Sequence, residues 1–201
     1  MGRILAVSAF LIVAFLAMGA VFWQQELKYQ LPTPVPAQYA AVPVGAAVAR
    51  DILPAGSAYF LHFYNPDCPC SRFNARHVKS LIREFDDSVS MYIVVPSQQD
   101  LAKAQREFEG QKFIVDENNA IAHACGVYST PQAAIIDHTG KLFYRGNYNR
   151  SRYCTAKASN FAELSLIALL NKQPSPVFGL MATQAYGCEW NDPDKNDIEL
   201  F

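Results

Sequence analysis

Cys68 and Cys70 stand one proline apart in NPDCPCS, residues 65–71, directly after an aromatic apolar run. Two thiols at this spacing suit redox exchange, capture of a soft metal ion, or plain packing. Pro69 decides how the first thiol is presented. Proline is favoured at the first helical position, which makes Cys68 the N-cap and turns the amides of Cys70 and Ser71 towards its sulfur. The helix dipole adds positive potential there, and cysteines so placed have lowered pKa values. Asp67 opposes this with a neighbouring negative charge. An activated but not extreme thiol is expected at Cys68.

The other reactive side chains are read from their surroundings. In AYFLHFY, residues 58–64, strand alternation puts Phe60, His62 and Tyr64 on one face. His62 then lies beneath the turn carrying Cys68, either moving protons during thiol exchange or packing as a satisfied core histidine. Cys125, in the apolar stretch 122–127, reads as a buried thiol acting as a small hydrophobe. Cys154 lies in a polar loop and Cys188 in the tail, and a bridge between them would pin the tail to the domain. Cys68, Cys70 and His77 form an alternative metal set suited to Cu(I), although no second Cys or His pair at structural-zinc spacing accompanies them. His123 and His138 read as surface or turn residues.

Hydrophobic periodicity supplies the elements that must position these groups. A helix over 71–85 carries Phe73, His77, Leu81 and Phe85 at near-fourfold spacing, with Val78 and Ile82 widening the stripe. Residues 90–95 form a second strand, and Ser97 caps a helix closed by Gly110. A short strand at 112–115 and a short helix ending at Gly126 follow. Strands at 132–137 and 141–148 are joined by His138-Thr139-Gly140. The last helix, 160–171, shows the apolar stripe Phe161, Leu164, Ile167, Ala168 and Leu170. Strands alternating with helices imply an α/β fold with a central mixed sheet covered on both faces.

With 201 residues, 51% hydrophobic and 17% charged, the chain buries one sizeable core. A formal charge of -1 without a dense Lys/Arg run leaves no electrostatic footprint for nucleic acid. Residues 4–23 carry no charge, about the 20 residues that a membrane-crossing helix needs. The run exceeds the usual signal-peptide core of about 7–15 residues, so an uncleaved anchor is expected, with a signal peptide cut near Ala17-Met18-Gly19 as the alternative. Arg3 ahead of the span, against Glu26 and Lys28 after it, favours a cytoplasmic amino terminus and an exported body, where disulfides persist. The expected organisation is an anchor over 1–25, a Pro/Ala-rich tether over 26–56, a domain over 57–190 and an acidic mobile tail over 191–201.

A buried strand, a cysteine pair opening a helix, and later GVYSTP (126–131) leading into QAAIIDHTGK (132–141) together resemble the thioredoxin-like superfamily. The chain is most similar to its exported, membrane-anchored thioredoxin and redoxin branch, here with a CPC motif. The likeness runs roughly from 56 to 190 and takes in the tail TQAYGCEW. It implies a thioredoxin-like fold behind an amino-terminal transmembrane helix, and a thiol-disulfide oxidoreductase acting on protein disulfides without a cofactor. Thr130-Pro131 matches the family's cis-proline, opposite the active thiol and offering backbone pairing to a substrate. His62 matches the position of its buried acidic proton relay. The motif departs from WCxxC: Asp67 replaces tryptophan, the second cysteine comes one residue early, and Ser71 stands where the partner thiol would be. A Cys68–Cys70 bond would be strained and therefore oxidising. Two routes follow: Cys68 attacks and Cys70 resolves, or Cys68 attacks and a distant cysteine, Cys188, resolves. A Cu(I) metallochaperone, a thiol peroxidase and a non-catalytic binding module are the alternatives. For the peroxidase, no threonine precedes Cys68 by three residues. The expected partners are a protein thiol or disulfide and the membrane, with the domain in the bacterial periplasm.

Overall fold

The computed structural model describes residues 2–25, 31–48, 52–53, 58–150, 154 and 156–191. Residues 26–30, 49–51 and 54–56 of the expected tether, residue 57 of the expected domain, and the acidic tail from 192 onward lie outside the described residues. The first element, α1 (Gly2–Gln25), is long and apolar enough from Gly2 to Trp23 to cross a membrane, compatible with an anchor or a signal sequence.

The domain then runs β1 (Tyr59–Phe63), α2 (Pro69–Phe85), β2 (Ser90–Val95), α3 (Gln98–Glu107) and β3 (Phe113–Val115). Next come α4 (Ala120–Cys125), β4 (Ser129–Thr130), β5 (Gln132–Ile136) and β6 (Leu142–Gly146). After a 3-10 turn at Lys157–Ser159, α5 (Phe161–Leu170), α6 (Leu180–Thr183) and β7 (Cys188–Glu189) close the chain. The main sheet has the order β3-β2-β1-β5-β6. β1, β2 and β3 are parallel, and β5 and β6 run antiparallel to their neighbours. This is the thioredoxin-like fold. β4 and β7 pair apart from it as a two-stranded ribbon.

Alternation along β1 sorts the core into two layers. Phe60 and Tyr64 pack with Val78, Leu81 and Ile82 of α2, Phe108 after α3, and Ala162 and Leu166 of α5. Leu61 and Phe63 face the other way, onto Ile121 and Ala122 of α4, Val48 and Trp190. Both faces are covered, so every residue of β1 is buried, as befits a central strand in this architecture.

Three expectations need revision. The stripe read on the last helix holds only in part: Phe161 packs against the core and Ala168 is buried, but Leu164, Ile167 and Leu170 are partly exposed, while Ala162, Ser165 and Leu166 are buried instead. α5 is apolar nearly all round, so periodicity cannot choose its face, and small residues let it approach the sheet closely. Phe73, read as part of the α2 stripe, is also exposed. The tether, finally, does not stand clear of the domain. Pro32 bridges to Tyr186, and the Thr33 amide donates to Ala185 O at 2.9 Å. The amides of Gly45 and Val48 donate to Leu142 O and Gly140 O, and Leu142 N donates back to Ala46 O. Its backbone groups find partners along the edge of β6 rather than in water, which meets the demand that buried amides be paired.

Candidate active site

Cys68 caps α2 with extended backbone (φ -82, ψ 119), and Pro69 is the first helical residue. The preceding turn is closed locally: Asp67 N donates to Asn65 Oδ1 at 2.9 Å, and Cys68 N to Asn65 O at 3.1 Å. Lys103 Nζ reaches the Asp67 carboxylate at 2.7 and 2.8 Å. That ion pair offsets the negative charge which otherwise opposes a thiolate at Cys68.

Cys68 is joined to Cys188, 120 residues away, with Cα atoms 6.0 Å apart. The separation is ordinary for a disulfide. The bridge between Cys154 and Cys188 considered from sequence is therefore not formed. The β4–β7 ribbon holds Cys188 at Cys68, while the Cys154 thiol donates to Asn74 Oδ1 at 3.0 Å on the flank of α2. Burial pushes the Cys154 and Cys125 thiols each up to about 12, so neither ionises readily. Cys70 is buried on α2 and outside the disulfide.

The strand that receives Cys188, β4, is two residues long and carries no periodic signal. Thr130 pairs with Cys188, and Ser129 with Glu189, in antiparallel register. The Thr130–Pro131 bond is cis, and Thr130 O lies 3.6 Å from Cys68 Sγ. Substrate pairing at this edge was expected; the chain's own tail fills it. Thr130 Oγ1 donates its proton to Phe63 O at 3.0 Å and accepts from Asn65 N at 3.2 Å. Its remaining contact, Ser71 Oγ at 2.7 Å, must therefore be a donor to it. One hydroxyl thus ties the end of β1, the cysteine turn, the first turn of α2 and the β4 edge together. Ser71, fully buried, does structural work at the place where the family carries a thiol. The stretch around Ser71 gives no signal of this, because its partner lies 59 residues on.

The tail is fitted on both sides of Cys188. Gly187 has φ +138, and a Cβ there would sit 2.2 Å from Thr130 O; only glycine allows that approach. The Ser129 hydroxyl donates to Cys188 O at 2.9 Å, so Thr33 Oγ1, 2.8 Å from it, donates to Ser129. Trp190 N donates to Tyr128 O at 3.1 Å, and its buried ring meets Phe63 edge to face at 5.1 Å.

His62 is fully buried among Tyr64, Phe108 and Tyr148. Nδ1 contacts the Tyr148 hydroxyl at 2.7 Å. Desolvation pushes its pKa down to about 3, the Gln132 backbone offsetting part of the effect. The imidazole is thus neutral at physiological pH and bonds neither cysteine. Burial lowers His77 as well. Among the described residues no three His, Cys, Asp or Glu side chains gather to hold a metal ion; Cys68, Cys70 and His77 are not brought together as such a set in this oxidised form.

Comparison with solved structures places the fold. A hypothetical protein from Sinorhizobium meliloti 1021 superposes with TM-score 0.60 at 15% identity, covering 77% of this chain and 97% of its own. An uncharacterized conserved protein from Geobacillus kaustophilus gives 0.58 at 18% identity, with 79% and 97% covered. A thioredoxin-like protein in its oxidized form aligns more loosely, at 0.46 and 18% identity, over 71% of this chain and 97% of that one. No curated protein matches the chain. One family model, described as a domain of unknown function (DUF6436), matches residues 41–190.

Proposed function

This chain belongs to the DUF6436 family, and on its thioredoxin-like scaffold we propose that it exchanges disulfides with a protein partner, Cys68 attacking and Cys188 resolving. The observation that carries the reading is the Cys68–Cys188 disulfide lying across the cis-proline edge at the N-terminus of α2. In the reduced chain the amides at the start of α2 and the helix dipole favour the Cys68 thiolate. That thiolate attacks one sulfur of a partner disulfide; a Cys68–partner bond forms, and the other partner sulfur leaves as thiolate. The Cys188 thiolate then attacks Cys68 Sγ, the partner's second sulfur departs, and the disulfide seen here is left. Two electrons have passed from the chain to its partner. Run backwards, the same steps oxidise a dithiol partner. His62, held neutral, enters as a packing residue. Cys70 is not needed as resolver in this cycle.

The domain is read as exported on α1 as an uncleaved anchor, in the periplasm of a bacterium. Support comes from the uncharged span, long enough to cross a bilayer. No cofactor enters the cycle.

The test is alkylation and mass spectrometry of the full chain in detergent, reacted with a disulfide-linked model peptide. Cys68→Ser is expected to abolish exchange, Cys188→Ser to trap the mixed disulfide, and Cys70→Ser to leave turnover intact. Exchange surviving in Cys68→Ser overturns the reading. So does a Cys68–Cys188 bond that forms with hydrogen peroxide but with no disulfide, which is the peroxidase outcome.

A further inference from the structure

The residues that hold the tail also describe what could replace it. Resting on the exchange reading above, we infer that the edge of β4 with the flanking Phe63 ring is a sequence-selective seat for an extended partner segment of the form Gly-Cys-x-aromatic, for which residues 187–190 are the built-in stand-in. Each part of that pattern follows from a contact. The cysteine is set by its pairing with Thr130, which brings its sulfur to Cys68. Its carbonyl is received by the Ser129 hydroxyl at 2.9 Å. The residue before it passes so close to Thr130 O, 2.2 Å from an imagined Cβ, that a side chain is excluded. The residue two further on returns to the same edge through its amide on Tyr128 O and lays its ring against Phe63. The indole Nε1 is buried with no hydrogen-bond partner, so an aromatic ring without a polar atom satisfies the seat equally.

The occupant is a partner protein because the chemistry of the edge requires exchange of one strand for another. The partner thiolate attacks Cys68 Sγ, the Cys68–Cys188 bond breaks, Cys188 leaves as thiolate, and the partner strand takes the place of β7. A second partner thiol then displaces Cys68 and closes the partner's own disulfide. In the reverse direction reduced Cys68 attacks the partner disulfide, and β7 re-enters as Cys188 resolves. Tail and partner compete for one site, so the partner strand must leave the edge of β4 before Cys188 can resolve, while its sulfur is still joined to Cys68.

The experiment uses the full chain in detergent carrying Cys188→Ser, reduced, and the disulfide-linked dimer of a synthetic peptide copying residues 185–190. The comparison peptides carry Gly187→Val or Trp190→Ala, and oxidised glutathione serves as the unselective reference. Mixed disulfide at Cys68 is followed by mass spectrometry. The parent peptide is expected to react at least about tenfold faster than either altered one, with a Trp190→Phe peptide close to the parent. Equal rates for all peptides, with glutathione still reacting, overturn the selective seat and leave the exchange reading standing. No reaction of Cys68 with any disulfide overturns both. Because Cys188→Ser could perturb folding, the oxidised wild-type chain is treated in parallel with the reduced peptides, where release of the Cys188 thiol is expected to follow the same order. Disulfide-linked dimers joining Cys68 of one chain to Cys188 of another as the main oxidised product would identify a second copy as the occupant and overturn the partner assignment.

Discussion

Thr130 does its work through a single oxygen, and its replacement is the sharpest test at the scale of the residue. Thr130→Val keeps the shape, but it removes the bonds to Asn65 N–H, Phe63 C=O and Ser71 Oγ. A loss of about 1–3 kcal/mol in denaturant unfolding is expected, with slower exchange at Cys68 because the turn and the edge are no longer tied. His62 gives a second prediction. Its folded pKa, about 3, lies below the ordinary 6.5, so between those values the unfolded chain binds a proton that the folded chain refuses. Stability is complete above pH 6.5 and falls as pH drops through that window, by at most about 1.4 kcal/mol per pH unit for one proton. His77, also lowered by burial, adds to the fall. Urea midpoints at pH 7 and pH 5 should differ less in His62→Phe than in the parent. At this scale Cys68 was legible because Pro69 and the helix start are local to it. The role of Ser71 was not, since a hydroxyl's meaning depends on a partner that only the folded sheet brings near.

Among the elements, β7 has two residues and no apolar alternation, below anything that periodicity can register. The five main strands and the three long helices of the domain were readable, because each carries enough residues for a period and enough turn chemistry for its ends. β4 and β7 become strands only through each other. Hence the tail can be tested by geometry alone. Gly187→Val is expected to abolish the β4–β7 pairing, since the new Cβ cannot occupy a point 2.2 Å from Thr130 O. The fraction of chain with the Cys68–Cys188 bond, read by differential alkylation at a fixed redox poise, should fall well below that of the parent. An unchanged fraction would mean that the tail closes by some other route. On α5 the uniform apolarity that hid the buried face leaves Leu164, Ile167 and Leu170 partly exposed. Replacing Ile167 with Gln is expected to change stability by no more than about 0.5 kcal/mol, as for ordinary surface sites, whereas Leu166→Ala should cost about 2–5 kcal/mol.

For the whole molecule, a disulfide that closes 120 residues couples redox state to stability. The chain-entropy account assigns about 4–5 kcal/mol to a loop of this order, so the reduced protein should unfold at distinctly lower denaturant than the oxidised one, with Cys188→Ser matching the reduced form. The apolar amino-terminal helix, the main sheet and α2 were visible from sequence because each is written in a continuous stretch; the meeting of residues 32–33 with the tail was not, because it joins residues about 150 apart. That meeting has a consequence for where the protein can act. Pro32 and Thr33 are fastened beside the tail at Tyr186 and Ser129, only seven residues past Gln25, the end of α1. Seven residues extend at most about 25 Å. On the proposed reading, with α1 retained in a bilayer, the fastening would turn a long leash into a short one: the cysteine edge would work within a shallow layer above the lipid, and its search for partners would be a sweep across a surface rather than through a volume.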